Sequence, residues 1–260
     1  MTYPGGVESV HFTSGDNSDN SDNSELIGVL YPAVGDGARP TAVLLHGIPG
    51  SEKNVDIAYR LREMGWHSLL FSFRGTWGSG GDYDITTQPD DTLAAINYLI
   101  DSPAAWQVDP TRIALVGYSL GSRAALIAAH RDSRVGAVVS LSGIADFDEL
   151  MFSQEALTST LPFLHNATVA KINQQWMRLG GEENSIAIVG KLTQPTLIVH
   201  GTEDEIVPYW MGTALHEASG KRAEFCSIEG ADHTFTQQRK QLVETVTNWL
   251  EMWAKSLSSP

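Results

Sequence analysis

Short apolar segments alternate with longer amphipathic or alanine-rich segments along most of this chain. The apolar segments predict strands over residues 41–45, 68–73, 113–116, 137–141, 196–200 and 224–228, and two opening strands over residues 7–13 and 26–32. The segments between them predict helices over residues 55–64, 90–100, 120–130, 209–218 and 238–256. Strands that alternate with helices are typical of a mainly parallel sheet covered on both faces. The pattern therefore predicts an α/β protein with an eight-stranded sheet.

Two stretches interrupt this alternation. Residues 16–24 repeat Asp-Asn-Ser three times and predict a polar loop. Residues 146–192 are longer than an ordinary crossover connection and are rich in large apolar side chains. We expect this second stretch to form a small helical cap, inserted into a single domain of residues 1–260.

The pentapeptide Gly117-Tyr118-Ser119-Leu120-Gly121 joins a predicted strand to a predicted helix. A serine at such a junction lies on a tight turn that strains its backbone and exposes its hydroxyl above the sheet. Strand and helix pack closely there, so the positions two before and two after the serine cannot hold bulky side chains, and both are glycine. We therefore predict that Ser119 is a nucleophile, with an ordinary turn serine as the alternative.

A serine nucleophile needs a base, and the base needs an acid that orients it. In this architecture the acid and the histidine follow the serine in that order. Asp204 follows the strand that ends near residue 200, at an edge where sites of α/β sheets collect. His233 follows the last predicted strand. We predict Asp204 as the acid and His233 as the base; the rival acids are Asp146, Asp148, Glu203, Glu205 and Asp232.

The segment from His46 to Gly50 follows another predicted strand. Its glycines allow the backbone to turn and to present an N–H group to the oxyanion that forms during acyl transfer. Pro49 has no N–H, so the predicted donors are the backbone N–H groups of Ile48 and Leu120. We expect His46 to brace this loop by hydrogen bonding.

Four motifs occur in a fixed order from about residue 41 to the C-terminus: His46-Gly47, Gly117-x-Ser119-x-Gly121, Gly201-x-x-Asp204-x-x-Val207-Pro208 and Asp232-His233-x-Phe235. In combination they resemble the α/β-hydrolase fold superfamily. Residues 46–54 and 73–81 further resemble the serine esterases related to the catalytic domains of prolyl oligopeptidases. The resemblance implies the α/β-hydrolase fold and a Ser-Asp-His triad.

Large side chains of the predicted cap would cover the serine and form a pocket for an acyl or alcohol group. The expected lining residues are Met151, Phe152 and Trp176 from the cap, together with Trp77 and Tyr118. An alternative stays open, in which the cap residues pack down on the sheet instead.

Composition limits the partners and the setting. The chain has 17 basic and 31 acidic residues, a net charge of −14, so neither nucleic acid nor an anionic membrane is expected as a partner. Cys226 is the single cysteine and is predicted to lie buried in the core. The N-terminal residues do not resemble a signal peptide, which favours a cytoplasmic location. Monomer and homodimer both stay open.

These residues predict a serine carboxylesterase that cleaves small to medium acyl esters through an acyl-enzyme. Neither a metal nor an organic cofactor is expected, because no H-x-x-x-H or C-x-x-C spacing occurs and the triad needs neither. A peptidase, a feruloyl-type aryl esterase or a thioesterase would use the same machinery, so these alternatives stay open. A non-catalytic binding protein is not expected, because it would have no use for Ser119, Asp204 and His233 together.

Overall fold

An eight-stranded sheet forms the centre of the computed structural model, which describes residues 6–15, 23–35, 37–101 and 106–257. The strands are β1 (Glu8–Ser14), β2 (Ser24–Tyr31), β3 (Arg39–Leu45), β4 (His67–Phe71), β5 (Val108–Tyr118), β6 (Val135–Leu141), β7 (Thr196–Gly201) and β8 (Glu224–Ile228). Their order in the sheet is β1-β2-β4-β3-β5-β6-β7-β8. Residues 16–22 of the predicted polar loop lie outside the described residues.

The sheet is mainly parallel, as the alternation of strands and helices predicts. Strand β2 runs antiparallel to both of its neighbours, β1 and β4. The other pairs, from β4–β3 to β7–β8, are parallel. The carboxyl ends of β3, β5 and β7 therefore meet at one edge of the sheet, and the loops that follow these strands come together there.

Helices cover both faces of the sheet. They are α1 (Val55–Glu63), α2 (Gln88–Asp101), α3 (Leu120–Arg131), α4 (Gln154–Thr160), α5 (Val169–Trp176), α6 (Ser185–Val189), α7 (Trp210–Ala218) and α8 (Arg239–Ser256). Helices α1 and α8 bury their apolar residues in one core, through side chains such as Leu61 and Leu250. Helices α2, α3 and α7 bury theirs in a second core on the other face, through side chains such as Leu99 and Leu126. Because the inner strands are covered from both sides, they are continuous apolar runs.

The structure differs from two expectations drawn from apolar runs. Strand β5 begins at Val108, five residues before the predicted start, because the polar segment before the apolar run is ordered locally. There Asp109 accepts hydrogen bonds from the Thr111 N–H at 2.9 Å and from the Arg112 guanidinium at 2.6 Å. Cys226 is only partly buried, which corrects its predicted place in the core. The reason is that β8 is an edge strand of the sheet.

The connection between β6 and β7 contains α4, α5 and α6, all within the predicted cap of residues 146–192. Trp176 is the centre of its packing. The indole N–H donates to the carbonyl oxygens of Phe147 at 3.1 Å and Leu150 at 2.8 Å, and the ring contacts Phe147 and Phe152. Much of the apolar content of this connection thus joins the core beside the sheet.

A buried ion pair joins the loop after β4 to α2. The Arg74 guanidinium donates to the Asp91 carboxylate at 2.7 and 2.9 Å, and the Arg74 backbone N–H donates to it at 3.0 Å. The Asp91 side chain has no exposed surface, and that of Arg74 is 11% exposed. Removing one partner of such a pair leaves the other charge buried without compensation.

Asp91→Ala is therefore expected to lower the free energy of unfolding by about 3–5 kcal/mol. The matched control is Asp90→Ala, because Asp90 is the neighbouring carboxylate, is 57% exposed and pairs with Arg131 at the surface. Exposed pairs contribute about 0–1 kcal/mol. Urea denaturation of both variants and the wild type gives the two values. Equally small decreases in the free energy of unfolding for both variants would show that the buried charge of Arg74 does not need Asp91 as its partner.

Candidate active site

The turn between β5 and α3 carries Ser119 in a strained conformation, with φ 54° and ψ −121°. Close packing enforces this turn. A Cβ atom on Gly117 would lie 2.5 Å from the carbonyl oxygen of Gly121, and a Cβ atom on Gly121 would lie 2.5 Å from that of Leu45. No side chain fits at either position, which agrees with the steric demand inferred from the sequence. The Ser119 side chain lines a cavity above the turn.

Asp204 and His233 are in direct contact. Asp204 Oδ2 lies 2.8 Å from His233 Nδ1, and Asp204 Oδ1 accepts the backbone N–H groups of Ile206 at 3.0 Å and Val207 at 2.8 Å. His200 Nε2 lies 3.4 Å from Asp204 Oδ2 and 2.9 Å from the Val207 carbonyl oxygen. The acid therefore has hydrogen-bond partners on both carboxylate oxygens. Sequence reasoning did not connect His200 to this carboxylate.

These contacts decide the charge of the acid. Burial alone would raise the pKa of Asp204, but hydrogen bonds from His200 and His233, the positive charge that His233 can carry and the Val207 N–H outweigh burial and hold this pKa well below its usual range. The carboxylate is thus ionised at neutral pH. A carboxylate at His233 Nδ1 fixes the proton of the neutral imidazole on that nitrogen, which leaves the Nε2 lone pair available as a base.

Ser119 and His233 line the same cavity. Within the described residues no Ser119–His233 hydrogen bond is formed. Such hydrogen bonds are often long or poorly aligned in sites without substrate and tighten when substrate binds.

The rival acids lie in other surroundings. Asp146 accepts hydrogen bonds from the Asp148 N–H at 3.0 Å and from Asn184 at 2.7 Å, within the connection between β6 and β7. Asp232 accepts the backbone N–H of Thr236 at 2.8 Å. Glu203 and Glu205 are exposed. Asp204 alone among the six acids weighed from the sequence makes a described hydrogen bond to His233.

The loop after β3, residues 46–50, lies against the turn that carries Ser119: a Cβ atom on Gly47 would be 2.8 Å from Ser119 Cβ. His46 braces the loop as expected, with Nδ1 2.7 Å from the Gly47 carbonyl oxygen and Nε2 accepting the Phe73 N–H at 3.2 Å. Burial lowers the pKa of His46 to about 3, so the ring is neutral. In the described part of the chain, the N–H groups of Ile48 and Leu120 donate to no protein acceptor.

The cavity above Ser119 has a volume of about 290 Å³. Tyr118 and Phe152, both expected from the sequence, contribute to its lining. Residues of the predicted oxyanion loop and triad also line it: Gly47, Ile48, Gly50, Ser119 and His233. The remaining lining residues were not expected from the sequence as part of the pocket: Ser51, Glu52, Ala156, Leu157, Ser159, Thr160, Ile206 and Thr234. The place of Ser51 and Glu52 beside the predicted oxyanion loop could have indicated them. Nothing local indicates the residues of α4, because the way α4 docks decides which of them face the serine.

Three expected lining residues lie elsewhere. Trp176 is 3% exposed and is held inside the cap by its two hydrogen bonds, so it does not reach the cavity. Met151 is 59% exposed and lies outside the cavity lining. Trp77 lines a separate surface depression, where it stacks on Phe163. These placements correct the expected lining by Met151, Trp176 and Trp77, and Trp176 follows the alternative in which cap residues pack into the core.

The described residues contain no group of three or more His, Cys, Asp or Glu side chains that could hold a metal ion. No helix among them is both long enough and apolar enough to cross a bilayer.

Known proteins with similar sequences and structures include hydrolases. Putative esterase YitV of Bacillus subtilis (strain 168) is 25% identical over 234 residues, which cover 83% of this chain and 90% of that protein. Est1E from Butyrivibrio proteoclasticus, solved with ferulic acid bound, superposes with a TM-score of 0.71 at 22% identity, over 89% of this chain and 96% of that chain. The α/β hydrolase GrgF from Penicillium sp. sh18 gives 0.71 at 21% identity, over 95% and 98%. At these identities the two structures show a shared fold.

The model of the prolyl oligopeptidase family matches residues 57–257. This match covers more than half of the 260 residues, and the sheet with its two helical layers has the α/β-hydrolase architecture. The chain therefore belongs to the prolyl oligopeptidase family of α/β-hydrolases.

Proposed function

We propose that this hydrolase is a serine carboxylesterase that cleaves small to medium acyl esters through an acyl-enzyme intermediate. The observation that carries the proposal is the 2.8 Å contact between His233 Nδ1 and an ionised Asp204, beside a strained serine that lines the same cavity. This arrangement provides a nucleophile, a base with a free nitrogen and a group that orients the base, which are the three requirements of acyl transfer by serine.

In the first half of the reaction, Ser119 Oγ attacks the ester carbonyl carbon while His233 Nε2 accepts the hydroxyl proton. The carbonyl oxygen becomes an oxyanion, which accepts hydrogen bonds from the backbone N–H groups of Ile48 and Leu120. Each donor of this kind contributes roughly 10²- to 10³-fold to turnover. The ionised Asp204 stabilises the imidazolium. His233 then gives its proton to the departing alcohol oxygen as the ester C–O bond breaks, and the acyl group remains on Ser119.

In the second half, water takes the position of the alcohol. His233 Nε2 accepts a proton from the water, whose oxygen attacks the acyl carbon and forms a second oxyanion at the same donors. The bond to Ser119 Oγ then breaks, His233 returns the proton to that oxygen, and the carboxylic acid leaves. Protons and bonds balance without a metal ion or an organic cofactor.

The cavity favours small, uncharged substrates. Its volume of about 290 Å³ lies just below the range of roughly 300–1,000 Å³ that is typical of ligand pockets. Ile48, Phe152 and Leu157 give it apolar walls, whereas Glu52 brings a carboxylate to it. Burial and the nearby negative charges of Glu52 and Asp204 raise the pKa of Tyr118. The Arg239 guanidinium, 4.0 Å from the Glu52 carboxylate, offsets part of this negative charge, so the apolar walls are the feature that favours a neutral acyl ester.

Two of the similar proteins favour esters over peptides as substrates. YitV is named a putative esterase, and Est1E was solved with ferulic acid bound. The family name points instead to peptide substrates. The triad would serve both reactions, so direct comparison of ester and anilide substrates separates them.

The first test is hydrolysis of p-nitrophenyl esters from acetate to decanoate. Ser119→Ala is expected to lower kcat by roughly 10⁶-fold, because no other group replaces the nucleophile. The matched control is Ser122→Ala. Ser122 is a buried serine of α3, it forms a hydrogen bond with Ser140 at 2.6 Å, and it does not line the cavity. The esterase proposal would be wrong if the wild type hydrolysed every ester no faster than Ser119→Ala does. Cleavage of an aminoacyl anilide by that wild type would then indicate a peptidase.

The role of the acid is tested by Asp204→Asn. The amide can donate a hydrogen bond to His233 and favours the wrong tautomer, so kcat should fall by roughly 10³- to 10⁴-fold while the nucleophile is intact. Glu203→Gln is the matched control, because Glu203 is an exposed carboxyl group next to Asp204. Steady-state kinetics of both variants on one ester give the comparison. A larger fall in kcat for Glu203→Gln than for Asp204→Asn would show that Asp204 is not the acid.

Asp204 should also make stability depend on pH. Its pKa lies below its ordinary value of 3.8 in the folded protein, so between these values the unfolded chain binds more protons. The stabilisation is complete above the ordinary pKa and is lost as pH falls below about 4. The difference in free energy of unfolding between wild type and Asp204→Asn, from urea titrations at pH 6 to 3, should therefore shrink towards acid. A constant difference would contradict the lowered pKa.

A further inference from the structure

The loop that follows β4, residues 72–81, contacts the loop that follows β3 at more than one place. Phe73 contacts His46 at the start of that loop, and Trp77 contacts its far end. The indole N–H of Trp77 donates a hydrogen bond to the carbonyl oxygen of Pro49 at 2.6 Å. Pro49 is covalently joined to Ile48, whose N–H is one of the two proposed oxyanion donors. A Cβ atom on Gly50 would lie 2.8 Å from the same indole nitrogen, so the ring is packed directly against this segment.

Trp77 holds this contact in an unfavourable backbone conformation. Its φ of 48° lies in the left-handed region, which is uncommon for a bulky residue and costs energy. Its side chain is 44% exposed, so burial in the core does not compensate for this strain. Residues held in this way persist when the surrounding contacts over-determine them, and they cluster at functional sites.

The other face of Trp77 contacts the cap. Its ring stacks on Phe163, with ring centres 5.0 Å apart and planes 16° from parallel. Phe163 lies just after α4, the helix that lines the catalytic cavity through Ala156 and Thr160. The backbone joins the same two segments, because Thr76 and Leu164 form a β-bridge.

We propose that Trp77 is a positioning residue that fixes the oxyanion loop and links it to α4 of the cap. This inference rests on the proposed serine-hydrolase function and replaces the expectation that Trp77 contacts substrate. Donors of an oxyanion hole act only when they lie about 2.7–3.1 Å from the place that the oxyanion occupies. Pinning the Pro49 carbonyl keeps the Ile48 N–H at that distance. The stack on Phe163 in turn holds the indole in place, so the position of α4 and the geometry of the oxyanion hole depend on each other.

The contact acts on the transition state and not on the bound ester, because the oxyanion forms only during the reaction. Loss of the contact should therefore lower kcat and leave KM nearly unchanged, whereas loss of a substrate contact would raise KM. This difference separates a positioning role from the binding role expected from the sequence.

The test is Trp77→Phe, which keeps an aromatic ring that can stack on Phe163 but is smaller than indole, and which removes the N–H donor. The matched control is Trp249→Phe: the indole of Trp249 donates to Glu224 at 2.7 Å, between α8 and β8. We expect kcat of Trp77→Phe on a p-nitrophenyl ester to fall roughly 2- to 10-fold, because this factor corresponds to the net free energy of one hydrogen bond. KM should stay within about twofold of the wild-type value. Trp249→Phe should lower the melting temperature and leave kcat unchanged.

A second measurement does not depend on the choice of ester. The rate at which a fluorophosphonate labels Ser119 requires the nucleophile and the oxyanion donors, and it should fall in Trp77→Phe by a factor similar to that of kcat. Phe163→Ala should also lower this rate in the wild-type background. In the Trp77→Phe background, Phe163→Ala should lower the labelling rate by a smaller factor, because the ring at position 77 no longer holds Pro49. Such non-additivity is the signature of a shared interaction.

Three results would overturn the proposal: labelling and kcat of Trp77→Phe equal to those of the wild type, a raised KM with unchanged kcat, or fully additive effects of the Trp77 and Phe163 substitutions. Wild-type protein that is labelled at Ser119 but hydrolyses no ester would overturn the proposed esterase function and leave the labelling comparison valid. Wild-type protein that is not labelled would overturn both. The two failures are therefore distinguishable.

Discussion

The backbone of Ser119 is held in a strained conformation by steric exclusion around it, and the rest of the site depends on this constraint. Strand β5 and helix α3 approach so closely that neither Gly117 nor Gly121 could carry a side chain, and α3 also presses against the carbonyl oxygen of Leu45 at the end of β3. The same approach brings Gly47 against the serine side chain. One packing constraint thus orders a strand, a helix and the neighbouring loop around a single hydroxyl group.

Two buried ionisable groups near this serine have opposite charge states, although burial disfavours the charged form of both. His46 is enclosed without an acid partner, so burial keeps it neutral and suited to hold a loop through directed hydrogen bonds. Asp204 is enclosed as well, but donors surround its carboxylate and outweigh the cost of burial. The chain therefore maintains a fixed negative charge next to His233 at neutral pH. Hydrogen-bond donors decide this outcome, because both groups lie in the interior.

The connection between β6 and β7 has two physical roles. Its aromatic centre, built around Trp176, belongs to the core and fixes the connection to the body of the protein. Helix α4 at its edge presents small and polar side chains, such as Ala156 and Ser159, to the cavity above Ser119. Phe152 takes part in both roles, because it contacts Trp176 and also lines the cavity. The size of a side chain in this segment therefore does not decide whether it faces the cavity.

Features that depend on local patterns could be predicted from the amino-acid sequence. Apolar runs and helical periodicity predicted the order of strands and helices to within a few residues, and glycines on both sides of Ser119 indicated the tight turn. Tertiary structure decided what depends on long-range docking. It placed Asp204, and none of the described rival acids, against His233; it enclosed Trp176 and turned Trp77 towards Pro49. A local pattern shows that a side chain is apolar and is expected to be buried. The neighbours of that side chain depend on how distant segments pack together, and a short window of sequence does not contain this information.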